Sequence, residues 1–380
     1  MQQALVNARV LTTQGWRDNV AVVVEDGWIR GLVAADCIPT HATRRDLSGR
    51  TLLPGFIDCQ VNGGGGVLFN DRPDVDGIRS ICAAHRHFGT TGFLPTLISD
   101  DTETMRAAIA AVDAAIAERV PGVLGIHLEG PFLSRERKGV HAAKYLHPPA
   151  ASELRVVESL QRGVTLLTLA PECVAPDAIR ELVRHGVIVA AGHSNADYAR
   201  VRIALDSGVR GFTHLYNAMS PLTSREPGMV GAALEDADSW CGVIVDGHHV
   251  HPTGSRIALK AKPRGKIFLV TDAMPPVGSD EPSFVLNGET ITARDGICQT
   301  ATGTLAGSAL SMIDAVRNTV DMLGVPLDEA ARMASTYPAD YLGIGTTYGL
   351  IDDGYRANFT VVDEALRVTE TWIDGAAEPA

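Results

Sequence analysis

Four residues able to bind a metal ion or move a proton lie far apart in the chain but at equivalent places. Glu129, His193, His214 and Asp272 each stand at the end of a short apolar run. One carboxylate and two imidazoles suit Zn2+ with a fourth position left for water, and they equally suit Fe2+ in the two-His-one-carboxylate arrangement. An Asp facing such a set is fit for general-base work on water. Taken singly, each residue has a plainer reading. A lone His after a strand more often belongs to a loop or the core, and an isolated Asp more often caps a helix. It is the shared placement that carries the inference. A further run leads into Asp246, His248, His249 and His251; the His cluster at 248–251 reads either as another metal site or as a polar loop with one His turned inward. His127 lies two residues before Glu129 and so on the same strand face, where it is expected to support the ligands from behind.

The runs that must position these residues number eight: TLLPGFID, TGFLPTLIS, VLGIHLEG, VTLLTLAPE, VIVAAGHS, GFTHLYN, WCGVIVDG and KIFLVTDA. Continuous apolar runs of this length suit parallel strands buried on both faces. Between them lie stretches of helical period such as DTETMRAAIAAVDAAIAERV and DAIRELVRHG, with start signals in Asp or Thr. The pattern predicts an α/β chain, a TIM-type (β/α)8 barrel whose strand ends converge on one site. Residues 1–50 and the last stretch instead alternate short β-like runs with Asp-Gly and Ser-Gly turns. They predict a small β-sandwich domain built from both chain ends, residues 1–53 with 345–380, around a barrel at 54–344.

The chain has 380 residues, 45% hydrophobic, and a net charge of −12. That is room for one large and one small domain, and the charge argues against a nucleic-acid partner but not against a small anionic substrate in a local basic pocket. The six cysteines show no CxxC spacing and read as free thiols in a reducing compartment. The start lacks a signal-peptide pattern and no apolar stretch reaches membrane-spanning length. The expectation is a cytoplasmic protein with no membrane partner.

With these residues placed, the segments PGFIDCQVNGGGG, GIHLEGPFLSRERKGVH, AAGHSNA, FTHLYNAMSP, VDGHHVHP, LVTDAM and GTLAGSALSM can be read together and in order. In that order they resemble the amidohydrolase superfamily and, within it, the N-acetylglucosamine-6-phosphate deacetylase family, over essentially the whole chain. The resemblance implies hydrolysis of the acetamide of N-acetyl-D-glucosamine 6-phosphate to acetate and glucosamine 6-phosphate. The galactosamine epimer is the nearest alternative substrate. A D-aminoacylase-like activity is a more distant one, and a non-catalytic scaffold of the same fold would have lost residues that are present here.

The resemblance also implies roles. Many relatives carry a His-x-His pair where this chain has Gln60 and Asn62, and the Gln/Asn group uses one metal. It therefore implies one divalent ion per subunit, Zn2+ first and Fe2+ second, on Glu129, His193 and His214, with Gln60 in a vestigial first-metal site. Asp272 becomes the general base and then acid, and His249, with the metal, polarises the acetyl carbonyl. Val140, His141, Asn217, Ala218 and His249 line the sugar site, and Leu305, Ala306 and Gly307 form a loop closing over the substrate. Arg225 holds the phosphate, for which its planar fork is suited, and reaches into the neighbouring subunit of a homodimer. Read without the family, Arg225 is a surface residue in a solvated pair with Glu226. His248, where relatives often have a small or apolar residue, is a departure that bears on pH behaviour.

Overall fold

The computed structural model describes residues 2–294 and 296–380. Eight parallel strands pair in sequence order: β1 (Phe56–Val61), β2 (Thr90–Ile98), β3 (Gly125–Glu129), β4 (Val164–Leu169), β5 (Ile188–Ala191), β6 (Gly211–Phe212), β7 (Trp240–Val243) and β8 (Ile267–Leu269). They are the eight apolar runs. All nine residues of β2 and all five of β3 are buried, as expected where a side chain meets either the barrel interior or a helix. The ring closes between its first and last members through a parallel bridge of Val61 with Ala273, and the Asp272 N–H donates to the Gln60 carbonyl at 3.0 Å.

Helices cover the outside. The first long one after β2, Thr102–Ala117, begins at Asp101, whose side chain accepts from the Thr104 N–H at 2.8 Å. Removing such a cap costs about 1 kcal/mol. Its buried Met105, Ala108, Ile109, Val112 and Ala115 follow the 3.6-residue period and form the face laid on the barrel. The stretch around DAIRELVRHG forms the helix Pro176–Arg184, which starts on a proline, with Asp177 inside its first turn rather than at its cap.

The chain ends form two further sheets. One has four strands within residues 2–46; the other has six and draws Arg9–Thr12, Gly15–Arg17 and Thr51–Pro54 from one end and Phe359–Val362, Val368–Ile373 and Ala376–Pro379 from the other. Their inner faces share a core that includes Leu5, Val10, Val22, Ile29, Leu52, Phe359, Val361 and Trp372. The run TLLPGFID thus divides at Gly55: Thr51–Pro54 pairs with Phe359–Val362, and the barrel begins at Phe56.

One element departs from the sequence reading. Leu305, Ala306 and Gly307 do not form a loop. They lie in the strand Leu305–Ser308, the last of a four-stranded sheet inserted after β8 with Ser283–Leu286, Glu289–Arg294 and Ile297–Gln299. The small, mobile-looking composition has a different cause. Ser308 donates its N–H to the Asp272 carbonyl at 2.9 Å and accepts from Met274 at 2.9 Å, so the strand lies against the chain leaving β8. Gly307 sits there at φ +61°, where an added Cβ would meet the Asp272 carbonyl oxygen at 2.8 Å. Only glycine fits that backbone and that approach.

Candidate active site

The residues at the strand ends converge. Glu129 ends β3; His193, His214 and Asp272 follow β5, β6 and β8 by two or three residues. All four are buried. Glu129 Oε1 is 3.0 Å from His214 Nε2 and 3.3 Å from His193 Nε2, and the two ring nitrogens are 3.0 Å apart. Donors held about 2.0–2.1 Å from one tetrahedral ion stand about 3.3–3.4 Å apart, so the triangle is of metal-site size. His193 also bonds through Nδ1 to the Arg137 carbonyl at 2.9 Å. That bond keeps a proton on Nδ1 and leaves the Nε2 lone pair free for a ligand role. Burial alone would raise Glu129, but its bonds to His193 and His214 outweigh it and hold the carboxyl well below the ordinary range. The donor set fits a divalent cation, and among the described residues it is the one such His/Cys/Asp/Glu group.

Asp272 stands beside this cluster. Its Oδ1 accepts from Asn62 Nδ2 at 2.6 Å and from Gln60 Nε2 at 3.1 Å, and Gln60 Nε2 is also 3.1 Å from Glu129 Oε1. The Gln60 amide therefore bridges the two carboxylates. Burial, and then the Glu129 charge, push Asp272 up to about 6, against the opposing pull of His214 and His249. The carboxyl thus stands above the ordinary carboxylate range, as burial beside a second carboxylate dictates. Beneath it Asp58 ties the closing strands together, accepting from the Thr271 hydroxyl at 2.5 Å and from the Gln60 N–H at 3.2 Å. Burial pushes Asp58 up to about 7.

The four residues open into a cavity of about 270 Å3. Val140, His141, Asn217, Ala218, His249, Leu305 and Gly307 line it, but Ala306 does not. Ala306 sits on the opposite strand face in a small apolar core, the period-two consequence of a strand in place of a loop. His141 is pushed down to about 3 by burial and by His193, and the Ser99 N–H donates to its Nδ1 at 3.2 Å. The neutral ring therefore carries its proton on Nε2. His193, His214, Tyr216, Ala218 and Asp272 all have φ between +34° and +79°. Left-handed backbone costs such residues about 1 kcal/mol or more each, and strain of this kind gathers at functional sites.

The open expectations now divide, the polar-loop reading of 248–251 holding and others not. The cluster at 248–251 does not assemble as a metal site: His248 is exposed, His251 accepts from Thr253 N–H at the start of the helix Pro252–Ala261, and His249 alone turns inward, its Nδ1 2.6 Å from Asp246 Oδ2. His127 supports no ligand directly; its two nitrogens meet the Thr96 and Thr168 hydroxyls at 3.1 and 2.8 Å, and burial pushes it down to about 4. Arg225 is exposed and outside the cavity lining. It does not pair with Glu226, whose Oε1 accepts from the Tyr198 and Gly228 amides at 2.8 and 2.9 Å. Sequence reasoning gave no role to Asp58, Asn62 or Asp246. The first two lie in the motif PGFIDCQVN already singled out, Asp58 inside the strand Phe56–Val61 and Asn62 just past its end.

A barrel with a buried carboxylate-imidazole cluster and an Asp at its C-terminal rim defines the class of metal-dependent hydrolases. The chain belongs to the amidohydrolase family, whose profile matches residues 51–377, and the NagA composite domain matches residues 3–52. It is 44% identical over 371 residues to the N-acetylgalactosamine-6-phosphate deacetylase of Shewanella sp. (strain ANA-3), covering 97% of this chain and 94% of that one. It is 35% identical to the N-acetylglucosamine-6-phosphate deacetylase of Haemophilus influenzae, covering 99% of each. The crystal structure of N-acetylglucosamine-6-phosphate deacetylase from Pasteurella multocida superposes with a TM-score of 0.96 at 37% identity, over the full length of both chains.

Proposed function

We propose that this enzyme hydrolyses the acetamide of N-acetyl-D-glucosamine 6-phosphate, releasing acetate and D-glucosamine 6-phosphate. The observation that carries this reading is the cavity in which Glu129, His193, His214, Asp272 and His249 meet. Glu129, His193 and His214 would hold one divalent ion; two imidazoles and a carboxylate accept Zn2+ or Fe2+, and the family resemblance puts Zn2+ first. When bound, the ion supplies Lewis-acid polarisation and a water acidic enough to lose a proton near neutral pH.

The remaining steps belong to side chains. Asp272 takes the proton of the attacking water and later delivers it to the departing amine. His249 donates to the acetyl oxygen as negative charge develops there. His141, with its proton on Nε2, offers a donor to a sugar hydroxyl or phosphate oxygen, and Val140, Asn217, Ala218, Leu305 and Gly307 shape the sugar pocket; Ala306 supports it from behind. Gln60 takes the place of a first-metal ligand, its Nε2 amide donating toward both Glu129 and Asp272.

The described residues lining the cavity include no arginine or lysine, whereas a phosphate monoester calls for one. The resemblance to the deacetylase family is what assigns Arg225, exposed and outside this lining, to the phosphate of a neighbouring subunit in a homodimer. The division into a sandwich domain of both chain ends and a barrel between them falls at Gly55, two residues later than the 53/54 boundary expected, because Thr51–Pro54 pairs with Phe359–Val362. A cytoplasmic setting accords with six free cysteines; no described helix is long and apolar enough to cross a membrane.

A second reading, the galactosamine epimer, is favoured by the 44% identity to the Shewanella enzyme against 35% to the Haemophilus one. One experiment separates the readings: acetate release with metal analysis on both 6-phosphates and both unphosphorylated sugars. Turnover of the glucosamine 6-phosphate, lost without phosphate, supports the main reading. Preference for the epimer supports the second, and equal turnover without phosphate overturns the role of Arg225.

A further inference from the structure

We infer that Asp246 is the positioning residue for His249, fixing which ring nitrogen faces the substrate. The inference rests on the reading of His249 as the donor to the acetyl oxygen. Asp246 lies three residues after β7, in the loop Asp246–Gly247–His248–His249, and its side chain is 3% exposed against 5% for His249. Its side-chain hydrogen bonds all stay within that one loop. Oδ1 accepts the N–H groups of His248 and His249, both at 2.8 Å, and Oδ2 stands 2.6 Å from His249 Nδ1. Gly247 turns the chain at φ +78°, and Asn318, from the helix Met312–Leu323, anchors the loop by donating Nδ2 to the Val245 carbonyl at 2.9 Å.

A carboxylate held by two amides cannot rotate to offer anything but an acceptor to Nδ1. Nδ1 must then carry a proton in either state of the ring, so Nε2 is the atom left for the cavity that His249 lines. The same carboxylate compensates the charge of a doubly protonated ring, which can then donate from Nε2 without leaving an unpaired cation in a buried place. Burial alone would raise Asp246, but the bonds from His249 and the two amides outweigh it and hold it below the ordinary carboxylate range, so it stays ionised. Among the described residues, no side-chain hydrogen bond of Asp246 reaches another residue of the site, so its effect on turnover passes through His249.

The test pairs a spectrum with kinetics. In the resting enzyme, without substrate, nitrogen NMR of the imidazoles is expected to show His249 protonated at Nδ1 in a strong hydrogen bond, and to lose that signal in Asp246→Asn. In the same variant kcat is expected to fall roughly 100-fold with KM within about 3-fold, metal content and melting temperature being unchanged. In a His249→Asn background, Asp246→Asn should cost no more than about 2-fold further, because it has no ring left to position. Asp246→Glu, which restores the carboxylate, should recover part of the loss. A wild-type His249 without a proton on Nδ1 overturns the inference, as do losses that multiply in the double variant. Because the spectrum needs no substrate, a wrong substrate assignment would show as inactive wild type with the Nδ1 signal intact.

Discussion

The rim of the barrel and the sandwich of chain ends are both made of short strands and turns, yet they spend left-handed backbone in opposite ways. In the sandwich such residues are Asn7, Asn19, Asp26, Ser48 and Asp374, turn-forming types that stand in turns, with Leu366 the exception. At the rim they are His193, His214, Tyr216, Ala218 and Asp272. Charge divides in the same way. The sandwich sets ion pairs such as Arg45–Glu370 and Arg356–Asp374 partly in solvent around an apolar core. The rim buries Glu129, Asp272 and Asp58 beside imidazoles and amides. One region is arranged for stability, and the other is held in costly conformations by the first region's kind of packing around it.

If that division is right, damage to each region should show in a different measurement. The largest expected effect is at the donor cluster: His214→Ala should lose bound metal and lower kcat/KM by about 10^4-fold or more, with the fold retained by circular dichroism. Asp272→Asn comes next, lowering kcat about 10^3-fold while leaving metal content and ligand binding near wild type; unchanged turnover would remove Asp272 from the base role. Trp372→Ala makes the opposite cut. Its ring is 1% exposed and packs near Phe359, so truncation should cost about 3–4 kcal/mol in denaturant unfolding, yet kcat per folded molecule should hold. A large fall in kcat there would mean that the two regions are not separable.

The smallest effect concerns pH. Asp272 must be ionised to act as a base, so kcat/KM should fall tenfold per unit on the acid side of its titration, at or below about 6 because a bound cation pulls it down. Asn62→Ala removes a bond that favours the ionised form and should move this acid limb upward. A limb that stays in place would mean another group controls it.

The eight strands and the donor set were legible because two regularities coincide: buried parallel strands write themselves as apolar runs, and a barrel gathers its chemistry where those runs end. The inserted sheet at 283–308 was not, since strands such as Ser283–Leu286 and Glu289–Arg294 are short, mix exposed with buried positions and carry Thr and Glu as a loop does. Asp246 was visible but mute, because a carboxylate three residues before a histidine gains meaning only when a turn folds one onto the other. Arg225 was singled out only through family resemblance. No local pattern tells an arginine that pairs with its neighbour from one left without a partner at the surface.

The barrel closes where Val61 meets Ala273, and Gln60 and Asp272 sit one residue before that bridge on the two sides. These strands are the first and the last of the ring to leave the ribosome. A chain that stops short of β8 therefore has its donor set complete and its base missing. A slip of one residue at the closing pair would turn Asp272 to the other face. Turnover thus acts as a quality check on synthesis and assembly: in refolding, activity should trail the recovery of secondary structure, and what restores it is completion of the ring.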